Sequence, residues 1–308
     1  MGRQRILITG GSGLLALNWA CCMRSEHEIH LAQHVRRINL RGVQVTSLAL
    51  DSVETMSRQL ARIRPDLVVH TAGMTSVDEC ERHPDMAHHA NAILARNVAE
   101  VCARLGIRLI HISTDHLFDG KNGPYTEDAV PKPLNAYART KLLAEQRVMK
   151  AHAGALVIRT NFFGWGHALR RSFSDWILYS LRDDQALTMF DDVFFTPILA
   201  DRLADAAHRL ADLGAKGVYN VAGEDRVSKY EFALRLARAF SLPEVLVQHG
   251  RIAASRLLAE RPRDMSLDST EARKLLGANM GGTAEFFDAL RRQDEGGRRE
   301  ELLAAVSE

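Results

Sequence analysis

The sequence predicts an α/β fold, a doubly wound parallel sheet with a smaller C-terminal lobe. Three observations predict it. Short apolar, β-rich runs alternate with helical stretches from Arg5 to Thr160. A glycine cluster, Gly10-Gly11-Ser12-Gly13, falls directly between the first such run and the first helix. Beyond Thr160 the alternation weakens, as it would where a second lobe begins. Strands alternating with helices of this length imply βαβ units. Right-handed crossovers then place helices on both faces of the sheet.

The elements follow in order. Residues 5–9 (RILIT) are apolar and β-rich and read as a buried strand. Residues 14–24 are helical, and 28–34 alternate as a second strand. Residues 43–50 read as a third strand, 53–63 as a helix and 67–71 as a fourth strand. Residues 85–105 carry Ala, Leu and Val at helical spacing and stop at Gly106. Residues 108–113 form the fifth strand. The loop 119–134, rich in Gly, Pro and Asn, leads to a helix over 135–152. Residues 155–160 are the sixth strand. Further on, 172–181, 199–213 and 228–240 read as helices and 217–221 as a strand. The predicted organisation is a dinucleotide-binding domain at 1–161, to which 195–225 returns. The smaller lobe spans 162–194 and 226–292, and a charged, exposed tail covers 293–308.

Composition excludes several classes. The chain has 308 residues, 46% hydrophobic and 25% charged, with net charge +2 from 40 basic and 38 acidic residues. No basic stripe of a nucleic-acid binder is visible. Arg36-Arg37 and Arg170-Arg171 read as solvated pairs or single-phosphate contacts. No run approaches the length of a membrane span, and no signal peptide is recognised. Cys21, Cys22, Cys80 and Cys102 fit neither a zinc spacing nor a disulfide framework. They read as reduced thiols of a cytoplasmic protein. No metal site is expected.

The glycine cluster has a specific use at the first βα turn. Glycines let the backbone turn sharply and approach a pyrophosphate closely, as in Rossmann-type folds. The helix behind it offers free N–H groups and a positive dipole end. Ala16 stands where a third small residue lets helix and strand pack. After the second strand the chain reads Gln33-His34-Val35-Arg36-Arg37, with no carboxylate to hold a ribose 2′-hydroxyl. An arginine there suits a 2′-phosphate, which favours NADPH, with NADH as the alternative. Asp51 reaches the adenine edge or caps the following helix with Ser52.

Tyr137 and Lys141 are four apart at the start of a helix and share one face. A nearby ammonium and a positive nicotinamide ring lower a tyrosine pKa. Such a phenol exchanges a proton with a carbonyl oxygen as hydride moves. Ser113-Thr114-Asp115 ends the fifth strand, where ligands of parallel sheets bind. Alternation along the strand selects Thr114 over Ser113 as the hydroxyl facing the reacting oxygen.

With these residues in place, the chain resembles the extended short-chain dehydrogenase/reductases. The likeness rests on Thr9-Gly-Gly-Ser-Gly13, Ser113-Thr-Asp-His-Leu-Phe-Asp-Gly120 and the Tyr137/Lys141 pair. Within that superfamily it is most similar to the dTDP-4-dehydrorhamnose reductase family. Ala72-Gly-Met-Thr-Ser-Val-Asp-Glu-Cys-Glu81, Val157-Ile-Arg-Thr160, Gly217-Val-Tyr-Asn-Val-Ala-Gly223 and Arg261-Pro-Arg-Asp-Met-Ser-Leu-Asp268 extend the likeness to about residues 5–290. The resemblance implies a catalytic Thr114, Tyr137 and Lys141. It implies hydride transfer from NAD(P)H to C4 of a nucleotide-linked 4-keto-6-deoxy sugar. Gly10, Ser12, Gly13 and Leu14 would contact the pyrophosphate, Ala72 and Gly73 the cofactor's sugar-proximal half, and Lys141 its nicotinamide ribose. Thr75, His116, Asn161 and Phe162 would line the substrate pocket. A homodimer is a family-level expectation. His116 replaces a usual tyrosine and Phe162 a common tryptophan, which bears on the substrate more than on the chemistry. Two alternatives share the fold. One is an epimerase or dehydratase of the same superfamily, against which the missing glutamate after Asp115 argues. The other is a regulatory protein resembling the methionine adenosyltransferase beta subunit, against which the intact Thr–Tyr–Lys set argues.

Overall fold

The computed structural model describes residues 2–307. Strand β1 (Arg5–Thr9) turns Ile6 and Ile8 to one core and Leu7 to the other, all fully buried. Apolar on both faces, it is a central parallel strand. It leads through the glycine turn into α1 (Leu14–Met23), then β2 (Glu28–Gln33), the two-residue β3 (Arg37–Ile38), β4 (Gln44–Ser47) and α2 (Val53–Ile63). Next come β5 (Leu67–His70), the short α3 (Val77–Arg82) and α4 (Pro84–His88), a π-helical turn (His89–Ile93) and α5 (Leu94–Leu105). The domain continues through β6 (Arg108–Ile112), α6 (Ala136–Ala151) and β7 (Leu156–Arg159).

The remaining elements are β8 (Phe162–Phe163), α7 (Phe173–Arg182), β9 (Leu187–Phe190), β10 (Phe194–Phe195), β11 (Ile198–Leu199) and α8 (Ala200–Asp212). They continue with β12 (Gly217–Asn220), β13 (Val227–Ser228), α9 (Lys229–Ala239), β14 (Val247–Gly250), α10 (Thr270–Leu276), α11 (Thr283–Glu295), α12 (Arg298–Leu303) and β15 (Val306–Ser307). None of the described helices is long and apolar enough to cross a membrane.

The seven-stranded sheet runs β12-β7-β6-β5-β1-β2-β4, with every pairing parallel. The chain steps outward from β1 to β2 and β4, then returns to β5 on the other side of β1. This reversal opens a crevice at the carboxyl ends of β1 and β5, where α/β sheets bind ligands. One face of the sheet packs α2, α5 and α6 through Met56, Val98, Val101 and Val148. The other packs α1 and α8 and runs on into the lobe, where Phe163, Phe232 and Phe287 meet edge-to-face. Each such side chain, fully buried, stabilises the fold by about 1.5–3 kcal/mol. A buried ion pair locks α6 to the sheet: Arg159 on β7 donates to Glu145 at 2.8 and 3.0 Å.

Four details depart from the sequence reading. The third strand is only β4, an exposed edge strand too short to fill residues 43–50. α3 goes unpredicted because six residues are too few for a periodicity, although Ser76 caps it. The continuous helix expected over 85–105 is interrupted by the π-turn, where the Asn91 amide donates to Met74 O (3.1 Å) and Thr140 Oγ1 (3.0 Å). Such turns gather at functional sites. The tail expected to be exposed over 293–308 is docked instead. Leu302, Ala305 and Val306 are buried, and Arg298 reaches Asp201 at 3.4 Å. Its charges find partners while apolar residues at positions 302, 305 and 306 enter the core.

Candidate active site

A cavity of about 490 Å³ opens at the β1/β5 switch point. Its floor is the glycine turn. Gly10 has φ +66°, and a Cβ there would stand 2.8 Å from the Ala72 Cα and 2.9 Å from its nitrogen. Only glycine allows β1 and β5 to approach so closely. The Gly13 N–H donates to the Gly10 carbonyl at 2.7 Å, and no side chain caps α1. The first amides of α1 are thus open to an anion. Gly10, Ser12, Gly13, Leu14 and Arg36 line this end of the cavity, while Arg37 belongs to β3. The residues present therefore fit a dinucleotide phosphate.

Ala72, Gly73 and Thr75, just after β5, line the adjoining wall. A Cβ on Gly73 would lie 2.7 Å from Asn91 Oδ1, so admitting one would displace the Asn91 side chain from Met74 and Thr140. Asp51 is not among the lining residues: its exposed carboxylate pairs with His89 at 2.6 Å, and Ser52 caps α2.

The chemical end lies beyond β6. Ser113, Thr114, Asp115 and His116 all line the cavity, so strand alternation does not separate Ser113 from Thr114. Their bonding does: Ser113 Oγ is buried without a partner, while Thr114 donates to Asp115 Oδ1 at 3.3 Å and accepts from the His116 amide at 3.3 Å. α6 starts at Asn135, whose side chain accepts from the Ala138 amide at 2.9 Å. That cap sets Tyr137 at the cavity wall. Burial holds the Tyr137 phenol well above its usual range, against the hydrogen bond to Thr114. The lowering expected from Lys141 is not found. The Lys141 ammonium lies behind the wall and donates to the Ile112 carbonyl at 2.7 Å, with burial pushing it down to about 8. A phenolate without solvent costs more than a lysine directed elsewhere can offset.

Asn161 and Phe162 line the cavity beside Asp115. The Asn161 amide donates to Asp115 Oδ2 at 2.6 Å. His116 stands edge-on to Tyr137, ring centroids 5.6 Å apart, and burial pushes its imidazole down to about 3.

Charged residues outside the expected catalytic set also gather here. Asp115, 1% exposed, has its carboxyl pushed up to about 6 by burial, against hydrogen bonds from Asn161 and Thr114 and the charge of Lys229. Lys229 stands 3.3 Å over the Phe195 ring. Arg170 and Arg171 line the cavity, and Arg170 donates to Thr75 Oγ1. The charge run Arg170-Arg171 was the available signal for these two. Nothing local in the sequence marks Lys229.

The fold and this cavity define a Rossmann-type protein in which Thr114 and Tyr137 line one cavity and Lys141 is buried behind its wall. Residues 4–287 match the family described as the RmlD substrate binding domain, and the chain belongs to it. It is similar to a hypothetical dTDP-4-dehydrorhamnose reductase from Sulfolobus tokodaii (31% identity, TM-score 0.78, 90% of this chain and 96% of that one). The dTDP-4-dehydrorhamnose reductase of Bacillus anthracis, solved in complex with NADP, shares the fold at TM-score 0.84 and 24% identity, over 94% of this chain and 99% of that one. Methionine adenosyltransferase 2 subunit beta of Bos taurus is 31% identical over 88% of this chain and 82% of that protein.

Proposed function

We propose that this chain reduces the 4-keto group of a nucleotide-linked 4-keto-6-deoxy sugar with NADPH, NADH being the alternative donor. One observation carries the reading: the Tyr137 and Thr114 hydroxyls stand in the same cavity as an uncapped phosphate turn and three arginines. The cofactor, when bound, supplies the hydride. Gly10, Ser12, Gly13 and Leu14 hold its pyrophosphate, Arg36 reads a 2′-phosphate, and Ala72 and Gly73 make room for the remainder. Tyr137, kept protonated by burial, donates its proton to the ketone oxygen, and Thr114 bonds the same oxygen. The Lys141 ammonium, which donates to the Ile112 carbonyl behind the wall, would have to turn toward the cavity for its other two donors to reach ribose hydroxyls. Arg170 and Arg171 match the diphosphate of the substrate, while Thr75, His116, Asn161 and Phe162 shape the sugar pocket.

The test is consumption of reduced nicotinamide with a panel of nucleotide-linked 4-keto-6-deoxyhexoses, with products identified by NMR. Turnover supports the reading. Cofactor binding without turnover on any of them opposes it. That second result favours a non-catalytic, partner-binding role, the reading supported by the likeness to the bovine beta subunit. A change in the activity of a methionine adenosyltransferase catalytic subunit on mixing would then identify it.

A further inference from the structure

Arg36 occupies the connection between β2 and β4, and what holds that connection is the far end of the chain. β3 follows Arg36 directly, and its strand partner among the described residues is β15, with Val306 opposite Ile38 and Ser307 opposite Arg37. The Asn39 amide donates to the Ala305 carbonyl at 2.8 Å. Ile38, pinned this way, lies against the phosphate turn: a Cβ on Gly11 would be 3.0 Å from Ile38 Cδ1. A second clasp closes the other end of the connection. Glu301 on α12 accepts from both Arg24 guanidinium nitrogens at 2.6 and 2.7 Å, and Arg41 approaches it at 3.6 Å. Arg24 also donates to the Arg41 carbonyl at 2.7 Å. Residues 37–41 are therefore gripped at both ends by residues 301–307, and Arg36 projects from one end of that grip into the cavity.

We propose that the C-terminal segment is a specificity element of the cofactor site, holding Arg36 where it distinguishes a 2′-phosphate from a 2′-hydroxyl. This rests on the reading of Arg36 given above. A guanidinium on an unpinned connection must be ordered at the moment of binding, and that loss falls only on the ligand it contacts. A merely structural tail would weaken both nicotinamide cofactors alike.

The test compares the full-length chain with Glu301→Gln, Val306→Asp and the double variant. Dissociation constants are measured for NADPH and NADH, and for 2′,5′-ADP and 5′-AMP as probes of the 2′-phosphate alone. The double variant is expected to bind NADPH and 2′,5′-ADP about tenfold more weakly, the loss of one charge-assisted contact. NADH and 5′-AMP should change less than about twofold. If Val306→Asp does not fold, Glu301→Gln by itself must still lower the NADPH-to-NADH preference. An unchanged preference in a folded variant overturns the proposal. Arg36→Ala in the intact chain separates the two layers. If it lowers NADPH affinity selectively, and adds nothing further in the double variant, tail and arginine act as one device. If it leaves the preference intact, the reading of Arg36 fails and the proposal falls with it.

Discussion

Asp115→Asn tests the electrostatics of the cavity directly. Asp115 is the acidic side chain that lines it among the described residues, and burial raises its carboxyl from 3.8 to about 6. Below about pH 4 the group is protonated in both the folded and unfolded chain and contributes nothing. Between about pH 4 and pH 6 the unfolded carboxylate ionises freely while the buried one resists. Stability is therefore lost as pH rises through that window. A difference of roughly two pKa units corresponds to about 3 kcal/mol. Asparagine exchanges no proton and keeps a carbonyl to accept from Asn161. The variant should gain on the wild type by up to about 3 kcal/mol between pH 4 and pH 7. Urea unfolding at intervals across that range measures it. Parallel stability curves for the two proteins would refute the account of Asp115 as an ionised group in a dry site.

Three other outcomes are expected. Tyr137→Phe should lower kcat by about 10²- to 10⁴-fold while the dissociation constant for NADPH stays within about twofold, because the ring remains and only the proton donor goes. Gly10→Ala forces a positive φ on alanine and drives a Cβ into the Ala72 backbone; NADPH affinity by fluorescence titration and the melting temperature should both fall, the strain alone costing about 1–2 kcal/mol. Phe232→Ala empties the centre of the lobe's aromatic cluster and should cost about 3–5 kcal/mol of stability in urea unfolding.

The legible parts of this chain are those whose causes are local. The bounds of β1 and α2 follow from short-range patterns, apolar on both faces in one and a Ser52 cap in the other. The glycine turn is legible for the same reason, since strand, turn and helix are contiguous. Tyr137 and Lys141 share a helix face by spacing alone, but the spacing does not say where the ammonium points. That is set by the Ile112 carbonyl on the neighbouring strand.

The sequence by itself determined the strand and helix order, the parallel sheet and the phosphate turn, because hydrophobic periodicity and glycine geometry act within a few residues. Tertiary structure decided the rest. It joined Arg170 to Thr75 across 95 positions and Glu301 to Arg24 across 277. It also buried Asp115 deeply enough to push its carboxyl up to about 6 and drew an apparently polar tail into the fold. Those outcomes depend on desolvation and on pairing between distant segments, and neither has a signature in any local window of sequence.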